Sequence, residues 1–352
     1  MDMNNLSYGK EWLKTTYGNQ TLELSIFSIL ICFAVFGNIL TLLVVHKSRR
    51  LLWSTNILVG HLAMAHLVLT GVSSSVYIYW KVSRCHLIIS NKLYYFSNFS
   101  NSGMSAILLA YMALDRYYVI VYPLAVHMTR EYTIKILTIA WLLALAFSCP
   151  LLHFVKDREN FFGLFCSKNK TCLAWRTYLC IYFLVFIVSP LLCISVLNIK
   201  IFWTIYQRQD NEILPLNKIA PAKEHLRKLG RGPVPATKQK SVKMLLVLNI
   251  YFALSWLPYF TYLFRMLHND FTYTTFIAIV LMSLSNAGIS PIVYWIMNGN
   301  FRRGAKHIFN FQLQTMYTIP SFSRKVHPQV SSLDFAYNGR NAPRLIEEKH
   351  HI

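Results

Sequence analysis

Seven long apolar runs, separated by shorter polar and basic stretches, dominate the chain. They fall at roughly 23–46, 54–79, 90–122, 133–154, 176–206, 239–267 and 272–297. A helix needs about 20 apolar residues to cross the hydrocarbon of a bilayer, and each run reaches that length. Inside hydrocarbon every backbone amide must be satisfied within its own segment, so runs of this length predict helices. The expected fold class is an all-α membrane protein, a seven-transmembrane helix bundle with a short amphipathic cytoplasmic helix. Polar residues inside the runs, namely Asn38, His61, His66, Asn198, Asn249 and Asn286, are costly against lipid. Their side chains, and the polar start of the third run, are expected to face the bundle interior.

The remaining segments divide by the same pattern. Residues 1–22 are polar and form an N-terminal segment, and 23–298 form the seven-helix bundle. Within it 207–237, with Pro215, Pro221, Pro233, Pro235, Gly230 and Gly232, reads as a cytoplasmic loop. Residues 299–310, NGNFRRGAKHIF, read as the amphipathic helix, with Phe301, Ile308 and Phe309 toward lipid. Arg302, Arg303 and Lys306 would then face anionic headgroups. Residues 311–352 carry no periodicity and read as a polar tail. Residues 1–21 have no apolar centre, so the first run reads as an uncleaved anchor.

Composition adds weight to the membrane reading. The chain is 55% hydrophobic and 14% charged, against about a quarter charged in a soluble domain. The net charge of +21 raises nucleic-acid binding as a rival. The Lys and Arg residues lie between the apolar runs, however, so they read as topology signals. Lys47, Arg49 and Arg50, the cluster from Arg208 to Lys240, and Arg302, Arg303 and Lys306 mark the cytoplasmic side. The expected orientation is N-terminus extracellular and C-terminus cytoplasmic, in the plasma membrane. Asn5, Asn19 and Asn169 match the glycosylation triplet and fall outside; Asn98 also matches but lies within the third run. Of seven cysteines, Cys32, Cys149, Cys180 and Cys193 read as small core residues. Cys85, Cys166 and Cys172 lie in or near polar connections, and no Cys or His spacing suggests a metal site. No cofactor is expected.

Motifs then narrow the field. Gly37-Asn38 lies in the first run, LAMAH (Leu62 to His66) in the second, and Asp115-Arg116-Tyr117 ends the third. Tyr122-Pro123-Leu124 follows, with Trp141 and Pro150 in the fourth run and Pro190 in the fifth. The sixth carries Phe252 and SWLP (Ser255 to Pro258), and the seventh SPIVY (Ser290 to Tyr294) before Phe301-Arg302-Arg303. This ordered set resembles the rhodopsin-like (class A) G-protein-coupled receptors over about residues 25–310. The resemblance implies a receptor, not an enzyme, whose partners are a heterotrimeric G protein, arrestin and an extracellular ligand. It assigns coupling and switching to Asp115, Arg116, Tyr117, Phe252, Trp256, Pro258, Pro291 and Tyr294. In such receptors the sixth helix swings outward and the arginine then meets the G protein. Independently of any family, Asp115 makes a guanidinium tolerable at a helix end. Pro258 and Pro291 remove backbone hydrogen bonds and give bendable points.

The chain also departs from the family. His66 stands where the second helix usually carries Asp, and Ser290 where the seventh usually carries Asn. These positions, with Asn101, Ser105 and Asn286, correspond to the family's sodium site. A hard cation prefers oxygen ligands to an imidazole, so sodium binding is expected to be lost. Lys238 stands where some members place a Glu against the arginine, Asn198 where a Tyr is usual, and Ala106 where a bulkier residue is common. These changes raise high basal activity as a hypothesis. The family's third-helix cysteine would fall at Asn91; here Cys85 is the nearest candidate. It could pair with Cys166 or Cys172, or those two with each other.

Ligand chemistry is partly legible by elimination. Asn98 replaces the carboxylate that amine receptors of this type use, and Leu284 the lysine that opsins use for retinal. The outer connections are cationic, including Lys81 and Arg265. Those charges read either as attraction for an anionic ligand group or as solvated loop residues. Asn98, Tyr94, Tyr95, Trp256, Tyr259, Tyr262 and Arg265 are the candidate pocket, suited to an amphipathic ligand such as a peptide. Ser321, Ser323, Ser331 and Ser332 are candidate phosphorylation sites for arrestin. Rival readings are a non-signalling or constitutively active receptor-like protein and, at greater distance, a transporter, which the absence of internal repeats disfavours.

Overall fold

The computed structural model describes residues 20–47, 53–83, 88–123, 129–155, 171–213, 232–265, 273–299, 301–306 and 308. Seven helices among them are long and apolar enough to cross a membrane. Helix α1 is Gln20–Lys47. Helix α2 runs through Trp53–Ala65, a wider π turn His66–Thr70, and Gly71–Ser83. Helix α3 is Ile88–Val121, and α4 is Arg130–Ser148 with a further turn Leu151–Phe154. Helix α5 runs through Thr171–Phe183, the π turn Leu184–Val188 and Ser189–Ile213. Helices α6 and α7 are Ala236–Arg265 and Tyr273–Met297.

Local sequence explains several boundaries. Thr129 caps α4, its hydroxyl accepting from the Tyr132 amide at 3.3 Å. Pro150 has no amide to donate, and the regular part of α4 ends just before it. In α5 the Pro190 ring would crowd the carbonyl four residues earlier, at Phe186; the wider turn over Leu184–Val188 makes that room. The second wide turn begins at His66, where the sequence itself departs from the family pattern.

Helix α3 is the centre of the bundle, packing on α2, α4, α5 and α6. Its inward positions include Asn98, Phe99, Ser102, Ser105 and Met112, all buried. Helices α1 and α7 approach closely because Gly37 has no side chain: a Cβ there would lie 2.7 Å from the Pro291 Cβ. Asn38 adjoins this contact and donates to the carbonyls of Ala34 (2.7 Å) and Ala287 (2.9 Å). Gly103 similarly lets α5 approach α3, since a Cβ would meet the Tyr182 hydroxyl at 2.8 Å. The outward faces carry exposed Phe33, Phe36, Leu142, Leu192, Phe202 and Ile296. A continuous apolar exterior over polar buried positions is the pattern of a bundle whose solvent is lipid.

Two expectations need correcting. Cys32, Cys149, Cys180 and Cys193 are free thiols on the exterior rather than core residues. A thiol is apolar enough to sit against lipid as readily as inside a core. Phe301 and Ile308 are buried and join the bundle core instead of facing lipid. The Phe301 ring packs against Tyr294 and Trp295, with centroids at 6.2 and 6.3 Å. Arg302 folds back to donate to the carbonyls of Trp295 (3.1 Å) and Ile296, capping the end of α7. The apolar stripe was legible, but not that the foot of the bundle covers it.

Candidate functional site

At the inner end, Asp115 and Arg116 form an ion pair at 3.0 Å, and both are buried. The guanidinium therefore lies inside the bundle and not in a lipid-facing, snorkelling position. A small apolar cluster of Ile120, Ile201 and Val234 closes the same end, joining α3 and α5 to the approach to α6. Two cations reinforce it. Lys238 Nζ, on α6, donates to the Val119 carbonyl at 3.4 Å, and Arg208 Nη2, on α5, donates to the Val121 carbonyl at 3.3 Å. Both carbonyls belong to the last turn of α3, where the helix dipole is negative and carbonyls lack helical partners. Lys238 thus ties α6 to α3 without the carboxylate that some family members use. Lys200 of α5 lies over the Tyr117 ring at 6.0 Å. The Tyr294 hydroxyl is buried and makes no hydrogen bond among the described residues.

In the middle of the bundle Trp256 is fully buried between Phe252 (centroids 6.5 Å), Tyr259 (5.5 Å) and Phe260 (6.4 Å). Phe260 reaches Phe99 of α3 and Tyr182 of α5 at 5.4 and 5.7 Å. Tyr182 donates to the Phe99 carbonyl and lies 3.1 Å from the Ser102 hydroxyl. This cluster of Phe99, Tyr182, Phe186 and Phe260 links Trp256 to two neighbouring helices. Sequence reading missed it, although Tyr178, Tyr182 and Phe186 recur every four residues and so share a helix face.

The degenerate sodium-site positions are partly brought together. His66 Nε2 lies 3.4 Å from Ser105 Oγ, and both residues are buried. Asn101, Asn286 and Ser290 are also buried, but no hydrogen bond joins them to His66 among the described residues. Ser290 instead turns back to the Asn286 carbonyl at 3.4 Å. His61 accepts at Nδ1 from the Trp141 indole at 3.3 Å, tying α2 to α4.

At the outer end the candidate pocket residues converge. Tyr94 and Tyr95 stack edge to face at 5.2 Å, and Tyr259 and Tyr262 belong to the same buried core. All four are buried, so the outer pocket is closely filled by phenol rings. Asn98 spends its amide on the Tyr94 carbonyl at 3.1 Å. Sequence reading also missed a second buried ion pair here: Lys81 Nζ lies 2.8 and 3.0 Å from the two carboxylate oxygens of Glu23. A lateral groove of about 380 Å³ opens beside Pro258, lined by Ala253, Leu254, Leu257, Thr261, Tyr262 and Ile279. Asn5, Asn19, Asn169, Cys85, Cys166 and the tail lie outside the described residues, as do the side chains of Cys172 and Arg265. Among the described residues no cluster of His, Cys, Asp and Glu could hold a metal ion.

Comparison with known proteins agrees with this geometry. Residues 37–294 match the family model described as "7 transmembrane receptor (rhodopsin family)". "Probable G-protein coupled receptor 19" of Homo sapiens is 31% identical over 311 residues, covering 85% of this chain and 71% of the relative. The "QRFP-like peptide receptor" of Branchiostoma floridae is 27% identical over 303 residues, covering 81% and 77%. The "Substance-P receptor" of Aquarana catesbeiana is 23% identical over 296 residues, covering 81% and 69%.

Proposed function

This chain belongs to the rhodopsin family of seven-transmembrane receptors, and from that premise we propose that it is a peptide receptor that activates a heterotrimeric G protein by outward movement of α6. Peptide is the favoured ligand class because two of the similar proteins are named for peptides and the outer pocket is lined by amphipathic phenols. The N-terminus lies outside and the C-terminus inside the plasma membrane, following the basic inner connections.

The observation that carries this reading is the buried Asp115–Arg116 pair beneath a lightly tied α6. When α6 moves, Lys238 leaves the end of α3 and the guanidinium becomes reachable from the cytoplasm. Trp256 and Pro258 lie on the same helix, so a ligand that shifts the indole can bias that movement. Tyr294, whose hydroxyl has no described partner, is a second group able to follow. Arrestin recruitment through Ser321, Ser323, Ser331 and Ser332 belongs to the same proposal. The Lys238 and Arg208 contacts favour a silent resting state over high basal activity.

The test is a G-protein dissociation assay across the Gα families, with peptide pools as agonists. Arg116→Ala is expected to abolish the response at surface expression matched to the parent. An unchanged response would overturn the coupling role, and would favour a route that bypasses this residue.

A further inference from the structure

The pair at the outer end is unusual for a bundle whose outer connections are predominantly basic. Glu23 lies near the start of α1 and Lys81 near the end of α2, with 7% and 16% of their side chains exposed. The Tyr77 hydroxyl donates to the same carboxylate, the Phe27 ring stacks on Tyr77 at 4.4 Å, and Lys81 sits over the Tyr77 ring at 5.6 Å. Removing two charges from water is expensive, and an apolar pair of similar volume would tie α1 to α2 as well or better. Mere adhesion is therefore a weak reason for charges here.

The cluster is also continuous with the candidate pocket. Trp80, one residue before Lys81, packs on Tyr94 at 4.8 Å. Tyr94 stacks edge to face on Tyr95, and Tyr259 on Trp256. A ligand that parts these buried rings to reach Trp256 would have the ion pair at its outer end.

We propose that Glu23, Lys81 and Tyr77 form the charged subsite of the ligand pocket, and that it takes a carboxylate, which shares the Lys81 ammonium with Glu23. This rests on the reading of the protein as a peptide receptor. Lys81 is the more exposed partner, so an incoming group meets the ammonium first; a ligand cation would be repelled there. Glu23 accepts from the Tyr77 hydroxyl as well as from Lys81, so its carboxylate is held on two sides. An ammonium has three N–H donors and can bridge two carboxylates. The phenols beyond it can donate to the same anion. The carboxylate can come from a peptide C-terminus, an acidic peptide side chain or a fatty acid.

The test uses the full-length receptor in lipid nanodiscs and ligand-induced thermal stabilisation. The probes are acetylated hexapeptide pools ending in a free carboxylate, the same pools as C-terminal amides, the amides with one internal Glu, and oleate. Each is applied to the parent and to E23Q/K81Q, which removes both charges together and leaves no uncompensated ion to unfold the protein. The expected result is that carboxylate probes bind the parent about tenfold more tightly than amides, and that the difference vanishes in E23Q/K81Q. Restoration by the internal Glu assigns the side-chain source, and its failure the C-terminus. Stabilisation by oleate alone upholds the carboxylate subsite and overturns the peptide reading. Equal binding of acids and amides overturns the subsite and leaves the peptide reading standing. So does an acid preference that persists in E23Q/K81Q. Absence of stabilisation by every carboxylate probe at about 1 mM overturns the subsite too.

Discussion

Among the described residues an ion pair lies within the bundle near each end, and the two are built differently. At the inner end Asp115 and Arg116 are neighbours on one helix, so their pairing survives any rigid movement of α6. At the outer end Glu23 and Lys81 come from two helices and are 58 residues apart in sequence, so their pairing pins α1 to α2. The polar tie from α6 to the end of α3 is weaker: Lys238 on a backbone carbonyl at 3.4 Å, beside the small apolar cluster. A helix pair locked by opposite charges resists separation more than a helix end capped by one half-buried cation. The difference teaches that the α1–α2 wall is tied more firmly than the foot of α6, which is where the proposed movement would begin.

Breaking the outer pair asymmetrically should have the largest effect. Lys81→Met takes the ammonium away from a buried carboxylate, and the loss should be about 3 kcal/mol, the low end for a broken buried pair because Lys81 is partly exposed. The double variant E23Q/K81M retains a partner for Tyr77 and should recover to within about 1 kcal/mol of the parent. Chemical or thermal unfolding of the purified receptor measures both. Equal losses in the single and double variants would mean that an uncompensated Glu23 carboxylate is not the source of the single variant's loss.

Loosening the inner tie should have a smaller, functional effect. Lys238→Ala removes one cation from the end of α3, worth about 1 kcal/mol. If the closed state depends on it, basal G-protein activation should rise about fivefold at matched surface expression. Lys238→Arg, which can still cap the carbonyl, should stay near the parent. A basal signal that does not move in Lys238→Ala would show that the apolar cluster of Ile120, Ile201 and Val234 holds α6 without help.

The same contrast explains what could be read before the structure. The inner pair lies in a tripeptide, and the seven spans lie in apolar runs; both are local, and both were legible. The outer pair depends on how α1 and α2 align, which no local pattern encodes, so Lys81 read as one more outer charge and Glu23 as the edge of a run. Phe301 and Ile308 failed for a related reason: an amphipathic stripe says that one face is covered, not whether lipid or Tyr294 covers it. Free cysteines failed because lipid and core are alike to a thiol. The Tyr182–Phe99–Phe260 cluster was half legible, since its fourfold spacing marks a face but its partners lie on other helices.

The smallest expected effect sharpens the comparison at the midpoint between the two ends. Where the family holds sodium, this bundle places His66 against Ser105 at 3.4 Å, with a π turn beginning at the histidine. The buried oxygens nearby in sequence pattern, those of Asn101 and Ser290, are not gathered around a common centre by any described contact with His66. A neutral imidazole gives a nitrogen where a hard cation wants oxygen, and it brings no negative charge to offset the cost of stripping water from the ion. Exchanging sodium for N-methylglucamine at constant ionic strength should therefore leave agonist affinity unchanged. His66→Asp restores the carboxylate and should make affinity fall as sodium rises, because a cation held in the resting bundle stabilises that state by mass action. A sodium-dependent affinity in the parent would mean that the inner and outer ends communicate through a cation after all, with the imidazole outside its coordination shell.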